Sequence, residues 1–158
     1  MSRHTALIRW ARGDAVFTDN AYSRGHTWTF DGGLTVPASA SPAVVPVPHA
    51  VPENVDPEEA FVAALSSCHM LFFLSIAAKK RYTVDSYEDD ACGHLGPDAA
   101  GREAITRVEL RPRVRFSGDR VPTERDIARL HDLAHHHCFL ANSVRFPVEV
   151  VPPDTGSA

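Results

Sequence analysis

Residues 56–81 read DPEEAFVAALSSCHMLFFLSIAAKKR, and this stretch decides the fold. Asp56 is a good N-cap, Pro57 suits the first helical position, and Glu59, three residues after the cap, completes a capping-box pattern. Glu58 and Glu59 complement the positive end of the helix dipole, and Lys79, Lys80 and Arg81 the negative end. Between them the chain is apolar on almost every side, interrupted only by Ser66, Ser67, His69 and Ser75. Such a helix is expected to be buried on several sides. Its length would also just span a bilayer. Strand-like segments on both sides, and a cysteine and a histidine at its midpoint, instead favour a central core helix packed against its copy in a second subunit.

Upstream, Thr5–Trp10 and Ala15–Thr18 are short and rich in strand formers, and Arg12-Gly13-Asp14 between them predicts a β-hairpin. His26–Phe30 alternates threonine with aromatic side chains, and Asp31-Gly32-Gly33 marks a turn before a further strand at Leu34–Val36. Prolines at 37, 42, 46, 48 and 52 make the next stretch extended, neither helix nor central strand. The segment before it is too short to hold a core alone, so these prolines read as an ordered crossing loop. Downstream, Val84–Ala91, Ile105–Phe116 and Phe146–Val151 read as strands, with Pro112 marking an edge or bulge. Thr123 caps a second helix, Glu124–His137, whose Ile127, Leu130, Leu133 and Ala134 form an apolar face. Strands, long helix, strands, helix and strand make an α+β class in one domain, residues 1–158.

The 158 residues are 44% hydrophobic and 23% charged, the balance of a soluble globular protein. A formal charge of −4, with 16 Lys and Arg scattered along the chain, supplies no field for nucleic acid. The N-terminus has no apolar run of signal-peptide length, being broken by Arg3, Arg9 and Arg12, so a cytoplasmic location is expected. In a reducing compartment three cysteines are not a disulfide framework; they pack, bind metal or react.

Cys68 has Ala64, Leu65, Leu71 and Phe72 as its helical neighbours, all apolar. From this position alone it reads first as a small core hydrophobe. Apolar surroundings disfavour a thiolate, so a nucleophilic role needs a nearby cation, with a carboxylate to hold it. Cys138 follows the second helix, where a thiol is expected to be more accessible than at a helix centre. Cys92 lies in a strand beside Asp89 and Asp90, which would repel a thiolate, and takes no role. His131 and His135 have the i, i+4 spacing of a metal pair, and His137 and Cys138 lie close by. No HExxH or CxxC completes a metal set.

The string Asp56-Pro57-Glu58-Glu59-Ala60-Phe61, followed by Ala63-Ala64-Leu65-Ser66-Ser67-Cys68-His69, resembles the helix of the OsmC/Ohr family that carries the peroxidatic cysteine. Ala134-His135-His136-His137-Cys138 with Asn142 resembles that family's second cysteine motif. Tyr22-Ser23-Arg24-Gly25-His26 lies where the family places its functional arginine, with Arg12 as the alternative. The resemblance implies antiparallel sheets wrapped around a long central helix, in an intertwined homodimer with two interfacial sites. It implies a peroxidase for organic hydroperoxides, with hydrogen peroxide as a second substrate, in oxidative-stress defence. In that scheme Cys68 attacks the peroxide to give a sulfenic acid, Cys138 resolves it as a disulfide, and an external dithiol of the lipoyl type reduces the disulfide. Arg24 would stabilise the thiolate and Glu58 would orient Arg24, with no cofactor, metal or membrane involved. Phe139 and Ala141 stand where the family often has Pro and Ser, which touches substrate preference. Phe72, Phe73, Phe139 and Leu140 could line an apolar pocket, though core packing explains them equally well. The rival readings are a non-enzymatic redox-sensing or small-molecule-binding module, and a metal protein using the 131–138 histidines.

Overall fold

A computed structural model describes residues 1–151. The chain divides into two compact units, Met1–Ala60 and Phe61 onward. In the first, β1 (Ala6–Arg9), β2 (His26–Phe30) and β3 (Thr35–Ala38) form an antiparallel sheet in the order β1-β2-β3. Gly33, at φ +86°, donates from its N–H to Phe30 O at 2.9 Å and closes the turn between β2 and β3. Pro37 lies in β3, an edge strand, where a missing donor is tolerated.

The expected hairpin partner, residues 15–18, is not a strand; β1 pairs with β2 instead. Gly13 at φ +62° and Asn20 at φ +60° coil the chain on either side of it. Phe17 then stacks on Tyr22 at 4.8 Å and packs on Trp10 at 5.9 Å. Aromatic clustering has outcompeted ladder formation.

Helix α1 (Pro57–Lys79) begins as the sequence dictates. Glu59 N–H donates to Asp56 Oδ1 at 2.8 Å and Asp56 N–H to Glu59 Oε2 at 3.3 Å, a reciprocal capping box. It ends in a Schellman turn: Tyr82 N–H bonds Ala77 O at 3.0 Å, Arg81 N–H bonds Ala78 O at 2.9 Å, and Arg81 takes φ +63°.

In the second unit, β4 (Thr83–Asp89) pairs antiparallel with β7 (Pro112–Ser117), and β5 (Cys92–Pro97), β6 (Glu103–Leu110) and β8 (Val148–Val150) form the sheet β5-β6-β8. The single strand expected over 105–116 is thus two strands in different sheets. Asp89 Oδ1 accepts the Arg111 N–H at 2.6 Å where the chain passes from one to the other. Pro112 marks that change of sheet rather than a bulge within one strand. β8 runs parallel to β6, a departure from an all-antiparallel arrangement. Helix α2 (Glu124–His137) has a complete capping box between Thr123 and Asp126.

Helix α1 is the one described helix long and apolar enough to cross a membrane, with mean hydropathy 1.9. It serves as a core helix. Phe73 and Ala77 join Tyr82, Leu130 and Ala134 in one hydrophobic cluster, while Leu65 joins Val108, Leu110 and Val148 in another. Burial within the chain is narrower than expected: Leu65, His69, Phe73 and Ala77 form a single stripe at four-residue spacing. Leu71, elsewhere on the helix, remains 61% exposed.

Candidate active site at the Cys68–Cys138 thiol pair

Cys68 projects from the middle of α1 and is partly buried. Cys138 is the C-cap of α2, with backbone φ −67° and ψ 111°, so the chain leaves the helix at the sulfur-bearing residue. The following residues fold back over it. Asn142 N–H donates to Cys138 O at 3.0 Å, Asn142 Nδ2 to His136 O at 3.1 Å, and Ala141 N–H to Cys138 Sγ at 3.4 Å. Cys138 is left only 1% exposed. Accessibility is therefore the reverse of the sequence expectation: the mid-helix thiol is the more open, and the helix-end thiol is covered by its own return turn.

The Cys68 side chain is near enough to act on the Cys138 thiol. Burial pushes the Cys138 thiol up from its ordinary value, and the neighbouring Cys68 side chain adds to the rise. The Ala141 N–H on the sulfur works in the opposite direction and does not prevail. Both cysteines are free thiols. Phe72, four residues along α1, meets Phe139 edge-on at 5.0 Å, and Phe139 is 70% exposed. Phe73 does not join them; it is fully buried in the α1–α2 core, which removes it from the expected pocket lining.

One residue beyond Cys68, His69 Nε2 lies 3.0 Å from His131 Nδ1, with the rings nearly parallel. His69 is 1% exposed and its Nδ1 has no hydrogen-bond partner. Phe73 packs on the His131 ring at 4.5 Å. Burial pushes both imidazoles down to about 4; for His69 the charges of His131 and His135 act in the same sense. The pair is neutral at pH 7, one ring donating its single N–H to the other. His131 is thus committed to His69 and packed in the core. No group of three His, Cys, Asp or Glu suited to a metal occurs among the described residues. The sequence carried a sign of this pair, a lone histidine in an apolar helix, but not of its partner.

In the first unit, Arg24 is held by its own loop. Its guanidinium donates to Asn20 O at 3.0 Å, to Asn20 Oδ1 at 2.7 Å and to Tyr22 O, and lies 3.8 Å from the Tyr22 ring centroid. With Ile8, Trp10, Phe17 and Tyr22 it lines a mainly apolar hollow of about 510 Å³. Glu58 makes no ion pair with it, and Glu58 Oε2 is buried without a hydrogen-bond partner. Arg12, the alternative arginine, donates to Ala15 O at 3.0 Å across its own turn. Cys92, on β5, has only a long contact from its sulfur to Gly93 O, 3.8 Å.

A part-accessible thiol on α1 and a buried thiol at the end of α2 thus stand on one α+β scaffold. The chain belongs to the OsmC-like family: the family model described as OsmC-like protein matches residues 51–152. The fold is shared with an OsmC-like protein of unknown function from Vibrio cholerae O1 biovar eltor str. N16961, at TM-score 0.94 and 59% identity over 96% of this chain and 99% of that one. An organic hydroperoxide resistance protein from Elizabethkingia anophelis matches at TM-score 0.70 and 16% identity, over 96% and 97% of the two chains. An organic hydroperoxide resistance protein OsmC from Legionella pneumophila matches at TM-score 0.64 and 14% identity, over 97% and 96%. At those identities the last two show the fold. A comparison with curated proteins gives no match.

Proposed function

We propose that this protein is a cytoplasmic, homodimeric thiol peroxidase that reduces organic hydroperoxides through a Cys68–Cys138 cycle. The observation that carries the reading is a partly buried thiol, Cys68, and a buried thiol, Cys138, whose side chains act on each other. Cys68, as thiolate, attacks one peroxide oxygen; the O–O bond breaks, and the departing alkoxide takes a proton to leave as alcohol. The product is Cys68 sulfenic acid. Cys138 then attacks the Cys68 sulfur, the S–O bond breaks, water leaves, and a disulfide forms. An external dithiol of the lipoyl type restores both thiols by two exchange steps and is itself oxidised to a disulfide. Organic hydroperoxide resistance proteins among the structural relatives support the substrate class.

Arg24 is the cation assigned to the Cys68 thiolate, and Glu58 the carboxylate assigned to orient it. Glu58 Oε2, buried and without a partner, is an acceptor that such a guanidinium would satisfy. Forming the pair requires Arg24 to leave Asn20 and Tyr22, which now hold it. The apolar surface of α1 that the chain leaves open, including Leu71, is the face assigned to the second subunit.

The cycle is tested by adding one equivalent of cumene hydroperoxide to the reduced protein and titrating thiols. The expected result is loss of two of the three thiols, with peptide mapping joining residue 68 to residue 138. Loss of a single thiol, or a disulfide involving Cys92, would overturn the resolving role of Cys138.

A further inference from the structure

Helix α1 ends where helix α2 begins, and the hollow between them gathers Lys79, Lys80, Arg81, Arg120 and Arg129 around about 260 Å³. Five of the chain's 16 Lys and Arg thus share one concavity in a protein of net charge −4. In sequence they look scattered, and 79–81 look like helix-dipole compensation; folding brings Arg120 and Arg129 to the same place.

None of the five has a carboxylate within ion-pair distance among the described residues, whereas the exposed Arg102 and Arg113 elsewhere in this unit each have one. The one acid lining the hollow, Asp126, is already committed. Its carboxylate accepts from Thr123 N–H at 3.0 Å and Thr123 Oγ1 at 2.7 Å. These bonds hold it below the usual carboxylate range, with Arg120 acting on it at longer range. One occupied carboxylate does not neutralise five cations, and their mutual repulsion is relieved by an anion between them. Arg81 adds to the imbalance: at φ +63° it occupies a position where glycine or asparagine is the usual residue.

We propose that this hollow binds a polyphosphate group. Several ammonium and guanidinium donors around one concavity match a chain of phosphate oxygens, with arginine forks taking two oxygens each. The aromatic ring present does not argue for a nucleobase. Tyr82 is 8% exposed and its ring is covered by the Arg120 guanidinium at 4.8 Å, so no face is free for stacking. The site therefore reads phosphates alone. An inorganic triphosphate and a nucleoside triphosphate bind it with similar affinity, and a monovalent anion does not.

The experiment is isothermal titration of the reduced full-length protein with inorganic triphosphate at low and physiological salt, with sodium chloride at matched ionic strength as control. The proposal expects saturable binding of one triphosphate per chain, weakened at higher salt. Lys80→Gln/Arg129→Gln should weaken it at least about tenfold, as removal of two charge-assisted contacts requires. Arg102→Gln, on the β5–β6 turn, should leave it unchanged. Melting temperatures without ligand establish that both variants fold. Non-saturable heats, binding unaltered in the double variant, or weakening by Arg102→Gln as large as that of the double variant would overturn the proposal. Adenosine triphosphate binding more than about tenfold tighter than inorganic triphosphate would overturn the base-independent reading.

Discussion

His69 Nε2 and His131 Nδ1 are 3.0 Å apart in a buried contact between α1 and α2, next in sequence to Cys68 on the one side and seven residues before Cys138 on the other. Cys68 and Cys138 belong to the same two elements, and the one side chain acts on the other. The imidazole contact therefore helps to fix the register of α1, which carries Cys68, against α2, which ends at Cys138.

That contact predicts an acid-sensitive stability. Both imidazoles are held down at about 4 in the folded protein, against 6.5 as the ordinary value. Between these values the unfolded chain binds protons that the folded chain does not, so stability falls as pH drops from 6.5 towards 4 and levels off below. Each histidine contributes at most about 1.4 kcal/mol per pH unit to that slope. Denaturant unfolding from pH 7 to 4 measures it, and His131→Gln should make the slope shallower. A slope unchanged in that variant would show that the acid sensitivity comes from elsewhere.

The Cys138 thiol, raised first by burial and further by the Cys68 side chain beside it, is protonated at neutral pH. Its attack on the Cys68 sulfenic acid should therefore accelerate with pH, by about tenfold per unit until the thiol ionises. Stopped-flow measurement of disulfide formation between pH 6.5 and 8.5 checks this. A rate that is flat over that range would mean that another step limits resolution.

Gly93 shows what the close approach of β5 to α1 demands. A Cβ built there would lie 2.5 Å from Val62 Cγ2, inside any real contact. Valine is stiff at χ1, so strand or helix must shift. Gly93→Ala should cost about 1–3 kcal/mol of unfolding free energy, as overpacking does, with Gly96→Ala, whose Cβ meets nothing within 4 Å, as the mild control. Equal losses for the two would remove the packing explanation.

The helices were legible because their signals are local. Asp56 with Glu59 and Thr123 cap the observed helices as the sequence patterns require, although the second box closes through Asp126. What escaped the sequence depends on distant partners. Residues 15–18 have strand propensity, but Phe17 gains more from Trp10 and Tyr22 than from a ladder. The strand read over 105–116 hides a change of sheet, because strand-forming residues lie on both sides of Pro112 and the Asp89 contact shows where they part. Cys138 looked open at a helix end; its burial comes from the return of residues 141–142, which helix-end position alone does not reveal. Both cysteine motifs could be read in the sequence, and the Cys68 side chain acts on the Cys138 thiol. The Arg24–Glu58 pair depends on a longer-range arrangement, and Arg24 instead satisfies its guanidinium on neighbouring loop carbonyls.

The central claim, that Cys68 is the peroxide-reducing nucleophile, is tested most directly by steady-state consumption of cumene hydroperoxide with dihydrolipoamide as reductant. The wild-type protein should turn over, and Cys68→Ser, shown folded by circular dichroism, should fall to the rate measured without protein. Hydroperoxide turnover retained by Cys68→Ser would contradict the account.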